Sequence, residues 1–301
     1  MRTARPAAAA SGYVGRFAPS PTGPLHQGSL AAALASCLEA RRHDGRWLLR
    51  VEDLDRARTL PGMADEHQRT LAACGFEWDG EVLYQSRRSA AYAAAIERLR
   101  ERGLLYACSC SRRELQAAGD EPAYPGTCRR GPAAPGPTAL RLRIDDSAVE
   151  SWEDAWQGHC EYRLGALGDV IVRRRDGVYA YQLAVVVDDA AQGVTHVVRG
   201  ADLLASTPWQ RAIQRALDLP LLEYAHLPLV AEPGGAKLAK SRRSIPVSGG
   251  ARAIHDALRL LRQEPPPELA QAGTAELWAW ARAHWRPERL RGLATVPALP
   301  P

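Results

Sequence analysis

The chain has 301 residues, of which 46% are hydrophobic and 24% are charged, a balance typical of globular proteins with a substantial core. Its formal net charge of +5 permits a polyanionic partner such as a nucleic acid without requiring one. No run of about 20 apolar residues is present, so we expect no membrane span. The opening MRTARPAAAASG is too short and too weakly apolar for a signal-peptide core. We therefore expect residues 1–12 to form a disordered tail and the protein to be cytoplasmic.

The N-terminal part of the chain alternates strand-like and helix-like segments. The predicted strands are Tyr13–Phe17 and Trp47–Glu52, and the predicted helices are Ser29–Arg42, Met63–Cys74 and Ser89–Arg102. Gly75 and Gly103 follow the last two helices, at the position where a left-handed glycine commonly ends a helix. Alternation at these lengths predicts βαβ units and therefore an α/β fold with a parallel sheet.

Residues 108–168 depart from this pattern. Proline and glycine gather in EPAYPGTCRRGPAAPGP, and a short strand is predicted at Ala139–Ile144. We expect an insertion with its own small framework, placed between two halves of the core at 13–107 and 169–232.

The α/β pattern resumes at Asp169. Two β-rich runs follow, joined by Asp176-Gly177, which is a hairpin signal. Further strands are predicted at Val194–Val198 and at His226–Val230.

A helix is predicted to begin at the sequence STPWQ. Ser206 or Thr207 can cap it, and Pro208 suits its first turn. Residues 233–301 then contain a glycine-containing loop and C-terminal helical segments that Pro265–Pro267 separate.

The stretch GRFAPSPTGPLHQGSL joins the first strand to the first helix. Such turns in α/β sheets often receive the phosphates of a nucleotide, and His26 and Gly28 lie in it. Each could also be structural, as a turn histidine or as a glycine that lets the helix pack closely. A second element, KLAKS, places Lys237 and Lys240 in a loop, where a mobile lysine can follow the charge that builds as a triphosphate loses pyrophosphate.

These two elements resemble the HIGH and KMSKS signatures of the class I aminoacyl-tRNA synthetases. Four segments in order, RFAPSPTGPLHQGS, RVEDLDRART, YQLAVVVDDAAQGVTHVVRGADLL and KLAKS, narrow the resemblance to the glutamyl-tRNA synthetase subfamily. The resemblance implies a Rossmann-type parallel sheet with a small zinc-binding insertion and C-terminal helices. It also implies ATP as a substrate, accompanied by Mg²⁺.

The chain departs from the subfamily pattern in three respects. Gln27 and Ser29 replace two positions of HIGH, and Ala239 replaces a serine of KMSKS. We also expect the chain after Ser241 to leave no room for a large helical anticodon-binding region. A shortened core with a cysteine cluster resembles the glutamyl-Q tRNA(Asp) synthetase family. That resemblance implies activation of L-glutamate without tRNA and transfer of glutamate to the queuosine base in the anticodon of tRNA(Asp).

Recognition of free glutamate requires about two cations and one anion, because the molecule has two carboxylates and one ammonium. Arg16, Arg199 and Glu52 can supply that set, and Tyr181 adds a hydroxyl. By resemblance, Glu52 meets the ammonium, Tyr181 and Arg199 hold carboxylate oxygens, and one run of the first motif lines the pocket: Arg16, Phe17, Ala18, Pro19 and Ser20. Which arginine takes which carboxylate stays open. The alternative is that Arg16 and Glu52 simply pair with each other across strands.

The same resemblance assigns the phosphate-binding residues. His26 and the amides at the start of the following helix stabilise the α-phosphate, and Gly28 leaves a flat place for adenine or ribose. Lys240, with Lys237, holds the departing phosphates.

Cysteines cluster in the expected insertion. Cys108, Cys110 and Cys128 form an incomplete tetrahedral zinc site, and the family spacing selects Tyr124 as the fourth ligand. His159 and Cys160 are chemically more ordinary candidates for that place. The expected zinc is structural.

Two other functions fit the same residues. The protein could charge the 3′ end of a tRNA, or it could be a non-catalytic RNA-binding paralogue. RNA bases could stack on Trp152, Trp156 and Trp209, although each is at least as well explained by core packing. The absence of a long heptad pattern argues against coiled-coil assembly, and we expect a monomer.

Overall fold

The computed structural model describes residues 12–116, 123–231, 247 and 249–298. The strands are β1 (Val14–Phe17), β2 (Arg46–Val51), β3 (Leu83–Tyr84), β4 (Leu105–Cys108), β5 (Ala139–Leu142), β6 (Val149–Asp154), β7 (Gly158–Arg163), β8 (Val170–Arg173), β9 (His196–Gly200), β10 (Glu223–Leu227), β11 (Leu229–Ala231) and β12 (Thr295–Pro297). The α-helices are α1 (Gln27–Arg42), α2 (Met63–Ala73), α3 (Ser89–Glu101), α4 (Arg112–Gln116), α5 (Leu164–Leu167), α6 (Tyr181–Ala191), α7 (Thr207–Ala216), α8 (Ala251–Leu260) and α9 (Thr274–His284).

Parallel strands form the centre of the molecule. β1 pairs with β2 and β2 with β3, while β10 pairs with β9 and β6, all in parallel. The amide of Thr195, just before β9, donates to the carbonyl of Val14 in β1 at 3.0 Å, which joins the two groups of strands. The carboxyl ends of β1, β2, β9 and β10 therefore meet at one edge, where α/β folds build their sites. The predicted parallel α/β architecture is confirmed.

Helix α1 lies against this sheet and is buried along most of its length. Its alanines leave room for large neighbours, and the same core contains Trp47 of β2 with Trp278 and Trp285 near the C-terminus. The segments that contain α8 and α9 are thus part of the main core rather than an appended unit.

Residues of the 108–168 segment contribute strands to two sheets. β4, β5 and β8 form an antiparallel sheet in that order. β6 and β7 form an antiparallel hairpin whose first strand pairs with β10 of the central sheet. Trp152 and Trp156 are 8% and 3% exposed, so packing accounts for both side chains.

The hairpin signal after Asp169 is confirmed at its turn, because Arg173 and Tyr179 form an antiparallel bridge across Asp176-Gly177, but the second β-rich run becomes a helix from Tyr181, so that part of the prediction was wrong. β8 is followed by a turn at 176–177 and then by α6. The valines of α6 favour strands by propensity. However, Leu183, Ala184, Val185 and Val186 are all buried, as in a helix enclosed between neighbouring layers. Tertiary packing therefore overrides the local preference.

The capping prediction for α7 was also wrong. Neither Ser206 nor Thr207 makes a side-chain cap hydrogen bond, although Pro208 does lie in the first turn. The Ser206 hydroxyl accepts from Gln182 Nε2 at 3.0 Å, and the Thr207 hydroxyl accepts from Arg199 Nη2 at 2.8 Å. The hydroxyls are used for tertiary contacts instead.

Other predicted boundaries shift by a few residues. The strand predicted at 194–198 occupies 196–200, and the one predicted at 226–230 divides into β10 and β11. Gly75 and Gly103 have φ of 80° and 67°, which confirms their positions after α2 and α3. Within the described ranges, no helix has the length and apolarity needed to cross a membrane.

Candidate active site

The end of β1 places the first predicted pocket residues at the carboxyl edge of the sheet. Arg16 is 4% exposed, and Phe17 packs its ring against Trp47 at a centroid distance of 6.5 Å. Phe17 is thus a core side chain. The Glu52 amide donates to the Pro19 carbonyl at 3.0 Å, which fixes the Ala18–Ser20 run beside the end of β2.

A buried carboxylate joins two arginines beneath this edge. Asp189 Oδ1 accepts from Arg16 Nε at 3.1 Å and from Arg50 Nη2 at 2.8 Å. Burial opposes the charge of Asp189, but both guanidiniums hold the pKa of its carboxyl below the usual value. Arg16 therefore pairs with Asp189, and the alternative cross-strand pair of Arg16 with Glu52 is not the arrangement found.

Glu52 lies at the end of β2, and its side chain is 9% exposed. Its nearest cation is Arg50, at 3.8 Å from Arg50 Nε to Glu52 Oε1. Burial raises the pKa of Glu52 to about 7, although Arg50 and Arg16 lower it. A nearby ammonium would stabilise the ionised form of this carboxylate, because it would give the negative charge a close positive partner.

Tyr181 begins α6, and Arg199 lies near the end of β9. Burial raises the pKa of the Tyr181 phenol, the Glu52 carboxylate raises it further, and Arg199 and Arg16 lower it. The Tyr181 phenol therefore interacts electrostatically with all three predicted glutamate-binding charges. The structure thus brings Arg16, Glu52, Tyr181 and Arg199 to one site.

Arg199 is 6% exposed and offers one unused nitrogen. Its Nε donates to His226 Nε2 at 3.0 Å, and its Nη2 donates to Thr207 Oγ1 at 2.8 Å. Its Nη1 is buried and has no hydrogen-bond partner among the described residues. An unpartnered buried guanidinium nitrogen is costly unless a ligand completes it.

Sequence reasoning missed several residues of this site, namely Arg50, Asp154, Asp189 and His226. Asp189 could have been found, because it follows an apolar run and a second aspartate in the quoted motif VVVDDAAQ. That second aspartate, Asp188, accepts hydrogen bonds from Gln85, Arg88 and Tyr92 instead. Asp154 carries no such signal, because it lies in the expected insertion and reaches the site only through the β6–β10 pairing.

The first turn presents His26 at the start of α1. His26 is the N-cap residue, and its Nδ1 accepts from the Ser29 amide at 3.1 Å. A methyl group on Gly28 would lie 3.3 Å from the His26 ring. Gly28 therefore leaves space for that ring as well as exposing backbone at the helix N-terminus, which favours anions.

Lys237 and Lys240 lie outside the described residues. The described residues on either side of their segment lie at the first turn. Val247 N donates to the Leu25 carbonyl at 2.9 Å, and Val230 approaches the position of a Gly28 methyl group at 4.0 Å.

Three of the four cysteines in the 108–168 segment, Cys108, Cys110 and Cys128, lie together. Their sulfurs are all within 4.8 Å of one another, and Cys110 Sγ is 3.6 Å from Cys128 Sγ. Thiolates at about 2.3 Å from a tetrahedral zinc ion stand about 3.8 Å apart, so this spacing fits a metal better than a disulfide. The Tyr124 hydroxyl lies 3.4 Å from Cys108 Sγ and 3.9 Å from Cys110 Sγ. The donor set therefore fits one zinc ion.

The alternative zinc ligands lie elsewhere. His159 and Cys160 are on β7, where His159 Nδ1 is 2.7 Å from Glu153 Oε1 and Cys160 packs in the core with Trp152. Neither joins the three-thiol group found among the described residues.

Hydrogen bonds favour the thiolate form of one cysteine, Cys128. Burial raises the pKa of Cys128, but hydrogen bonds from the Ala133 and Ser109 backbone and from Tyr124 outweigh it and lower the pKa to about 6. Next to Cys128, Arg129 pairs with Asp146 and Asp169, each at 2.6 Å. These ion pairs connect the cysteine cluster to the residues that follow β5 and precede β8.

Comparison with known proteins identifies the family of the chain. The family described as tRNA synthetases class I (E and Q), catalytic domain, matches residues 13–261. The chain is 53% identical over 285 residues to the glutamyl-Q tRNA(Asp) synthetase of Dechloromonas aromatica, covering 91% of this chain and 94% of that protein. It is 51% identical over 290 residues to the protein of the same name from Pseudomonas aeruginosa, covering 95% and 98%.

A solved structure supports the fold. The glutamate tRNA ligase from Elizabethkingia meningosepticum has a TM-score of 0.76 at 23% identity, and the match covers 94% of this chain and 66% of that chain. Fold, motifs and identities agree with the prediction from the sequence. The chain belongs to the class I tRNA synthetases of the E and Q type, a family of ligases, and within it to the group of the glutamyl-Q tRNA(Asp) synthetases.

Proposed function

We propose that the protein activates L-glutamate with ATP to glutamyl-adenylate without tRNA. It then transfers the glutamyl group to the queuosine base at the anticodon of tRNA(Asp). The names of relatives that are 53% and 51% identical over more than nine-tenths of the chain support this choice of acceptor.

The observation that carries the glutamate assignment is the buried charge set at the carboxyl edge of the sheet. Arg16 and Arg199 are 4% and 6% exposed, and the buried Glu52 carboxylate interacts electrostatically with Arg16. The unpartnered Nη1 of Arg199 suits a carboxylate oxygen, and the Glu52 carboxylate suits the substrate ammonium. Glutamine lacks the second negative charge, so a pocket of this kind disfavours it.

The activation step is a displacement at the α-phosphorus of ATP. An α-carboxylate oxygen of glutamate forms the new P–O bond, and the bond from the α-phosphorus to the bridging oxygen breaks as pyrophosphate leaves. His26 and the first amides of α1 stabilise the charge on the α-phosphate, while Lys237 and Lys240 hold the leaving phosphates. Mg²⁺ accompanies ATP and neutralises its phosphates.

In the transfer step, a hydroxyl oxygen of the queuosine cyclopentenediol forms a bond to the acyl carbon and gives up its proton, and the bond from the acyl carbon to AMP breaks, so that AMP leaves with the former carboxylate oxygen. The chain's contribution to both steps is positioning and charge stabilisation, with no covalent enzyme intermediate.

Cys108, Cys110, Tyr124 and Cys128 would hold a structural zinc ion. Bound there, zinc supplies four bonds that cross-link the end of β4 to the turn at 126–131.

Two assays test this function. The first measures glutamate-dependent exchange of labelled pyrophosphate into ATP without tRNA, and we expect exchange with L-glutamate and far less with glutamine. The second measures transfer of labelled glutamate to tRNA(Asp) with and without queuosine.

We expect transfer only to the modified tRNA. Equal transfer to tRNA(Asp) that lacks queuosine contradicts the proposed acceptor and favours charging of the 3′ end. Absence of exchange, with Lys240→Ala indistinguishable from wild type, contradicts catalysis and favours a non-catalytic paralogue.

A further inference from the structure

A buried chain of hydrogen bonds leads from Asp154 through His226 to the Nε atom of Arg199. Asp154, His226 and Arg199 are 3%, 0% and 6% exposed. His226 Nδ1 lies 2.5 Å from Asp154 Oδ2, and Arg199 Nε donates to His226 Nε2 at 3.0 Å. The three residues come from β6, β10 and β9, which are adjacent strands of one sheet.

The direction of these bonds fixes the histidine tautomer. A guanidinium has donors and no acceptor, so His226 Nε2 must accept from Arg199. The single proton of the neutral ring then lies on Nδ1 and is donated to Asp154. Burial lowers the pKa of His226, Asp154 raises it and Arg199 lowers it, so the net direction agrees with a neutral ring.

The other side of Arg199 is also held. Nη2 donates to Thr207 Oγ1 at 2.8 Å and to the Leu203 carbonyl at 3.3 Å. With Nε and Nη2 occupied, only Nη1 remains without a partner among the described residues. The guanidinium plane is therefore fixed with one nitrogen reserved for a ligand.

We propose that His226, oriented by Asp154, is a positioning residue for substrate recognition, holding Arg199 so that its Nη1 meets a glutamate carboxylate. This inference rests on the proposed function, because it assigns Arg199 to the substrate. His226 itself does not touch the substrate in this assignment. Because His226 is a neutral acceptor, it does not neutralise the positive charge of Arg199, and that charge can act on the ligand. A carboxylate in the place of His226 would neutralise it.

Asp154 is unsuitable as the test position. Its Oδ1 also accepts from the amides of Trp156, Gln157 and His226, so its replacement would disturb the β6–β7 turn. His226 is the better choice because Gln can place an oxygen near the position of Nε2, whereas Leu cannot accept a hydrogen bond.

The experiment measures KM for glutamate and KM for ATP in pyrophosphate exchange with His226→Leu and His226→Gln. We expect His226→Leu to raise KM for glutamate by about 10- to 100-fold and to change KM for ATP by less than about 3-fold, because a buried charged donor loses its acceptor. We expect His226→Gln to recover most of the loss. Thr207→Val, which removes the hydroxyl at Nη2, provides a second route to the same KM effect.

His255→Leu is the matched control. His255 is a buried histidine, 5% exposed, that contacts the Pro266 carbonyl at 3.2 Å rather than the pocket. Its replacement should leave KM for glutamate unchanged. Thermal unfolding shows whether each variant is folded, and Thr207→Val decides the question if His226→Leu does not fold.

The outcomes separate this inference from the proposed function. Absence of glutamate-dependent exchange in the wild type rejects the proposed function itself. An active wild type, with KM for glutamate unchanged in His226→Leu or in Thr207→Val, overturns the positioning role. Equal losses in His226→Leu and His226→Gln also overturn it, because they would show a packing effect.

Discussion

The proposed glutamate pocket and the cysteine cluster are organised by different interactions. Arg16, Glu52 and Arg199 lie at the ends of parallel strands, and Asp189 accepts hydrogen bonds from Arg16 and Arg50. The cysteine cluster follows the end of β4 and a turn, and its own apolar core is small: Tyr106, Cys108, Tyr124 and Cys128, with Cys110 and Leu115 beside them. The first region is preorganised by the fold. The second has the donor set of a metal site, and we expect a comparable rigidity there only when a metal is bound.

The largest effect is expected in the pocket, from Arg199→Gln. We expect kcat/KM for glutamate in pyrophosphate exchange to fall by about 100- to 1,000-fold, because losing a buried charged partner costs about 3–4 kcal/mol. The matched control is Arg211→Gln, since Arg211 is a buried arginine that pairs with Glu150 at 2.9 Å. A similar loss of kcat/KM in both variants would contradict a specific role for Arg199.

Glu52→Gln should separate stability from activity within the pocket. The pKa of Glu52 is raised from 4.5 to about 7, so its ionised form destabilises the fold at every pH above that range. This loss of folding free energy is absent below about pH 4.5, grows as the pH rises to 7, and reaches its maximum above pH 7. At pH 8 we expect the free energy of unfolding of the variant to exceed that of the wild type by up to about 3 kcal/mol. We expect the same variant to bind glutamate poorly.

Urea unfolding at pH 5 and pH 8 measures this effect, and the wild type at each pH is the reference. The gain should be much smaller at pH 5 than at pH 8. An equal gain at both pH values would show that ionisation of Glu52 is not its cause.

Cys110→Ser tests the other side of the comparison. We expect bound zinc, measured by elemental analysis, to fall from about one per chain to well below that, and Tm to fall by about 5 °C. Cys160→Ser is the control, because Cys160 is buried outside the cluster and contacts the Gly158 carbonyl at 3.6 Å. Full zinc retention in Cys110→Ser would exclude that thiol as a ligand.

Zinc removal by a chelator gives the same contrast without substitution. The 108–168 segment should become sensitive to protease before the pocket loses glutamate-dependent exchange. Simultaneous loss of both would show that the two regions are not independent.

Gly28→Ala should have the smallest effect. Alanine favours the helix by up to about 1 kcal/mol, so Tm should stay the same or rise slightly. The added methyl group would lie 3.3 Å from the His26 ring and displace it, so we expect kcat of exchange to fall by about 3- to 10-fold. Ala32→Gly, at a partly buried position on the same helix, is a control that alters helix propensity without approaching His26.

The sequence predicted what its motifs encode directly. The first turn, Glu52 and Arg199 lie on predicted strands or directly after them, whereas Tyr181 was found from the motif resemblance, because its own run was predicted as a strand and is helix α6. Arg16, Glu52 and Arg199 all interact electrostatically with Tyr181. Cys108, Cys110 and Cys128 also meet as their spacing suggested. What could not be predicted depends on tertiary pairing. Asp154 enters the site because β6 pairs with β10, and Thr207 serves Arg199 instead of capping its helix.

The short parallel pairing of β11 with β12 has a consequence for biosynthesis. Residues Thr295–Pro297 complete the strand Leu229–Ala231, and the amide of Ala298 adds a hydrogen bond to the Ala231 carbonyl at 2.8 Å. Ala231 directly precedes the segment that contains Lys237 and Lys240. Because β12 emerges from the ribosome after every other described strand and helix, the base of that lysine segment is the last part to be assembled. Trp278, Trp285 and Leu290 of the main core lie close before β12 in the chain, so the nascent protein completes that core and the β11–β12 pair together, late in its synthesis.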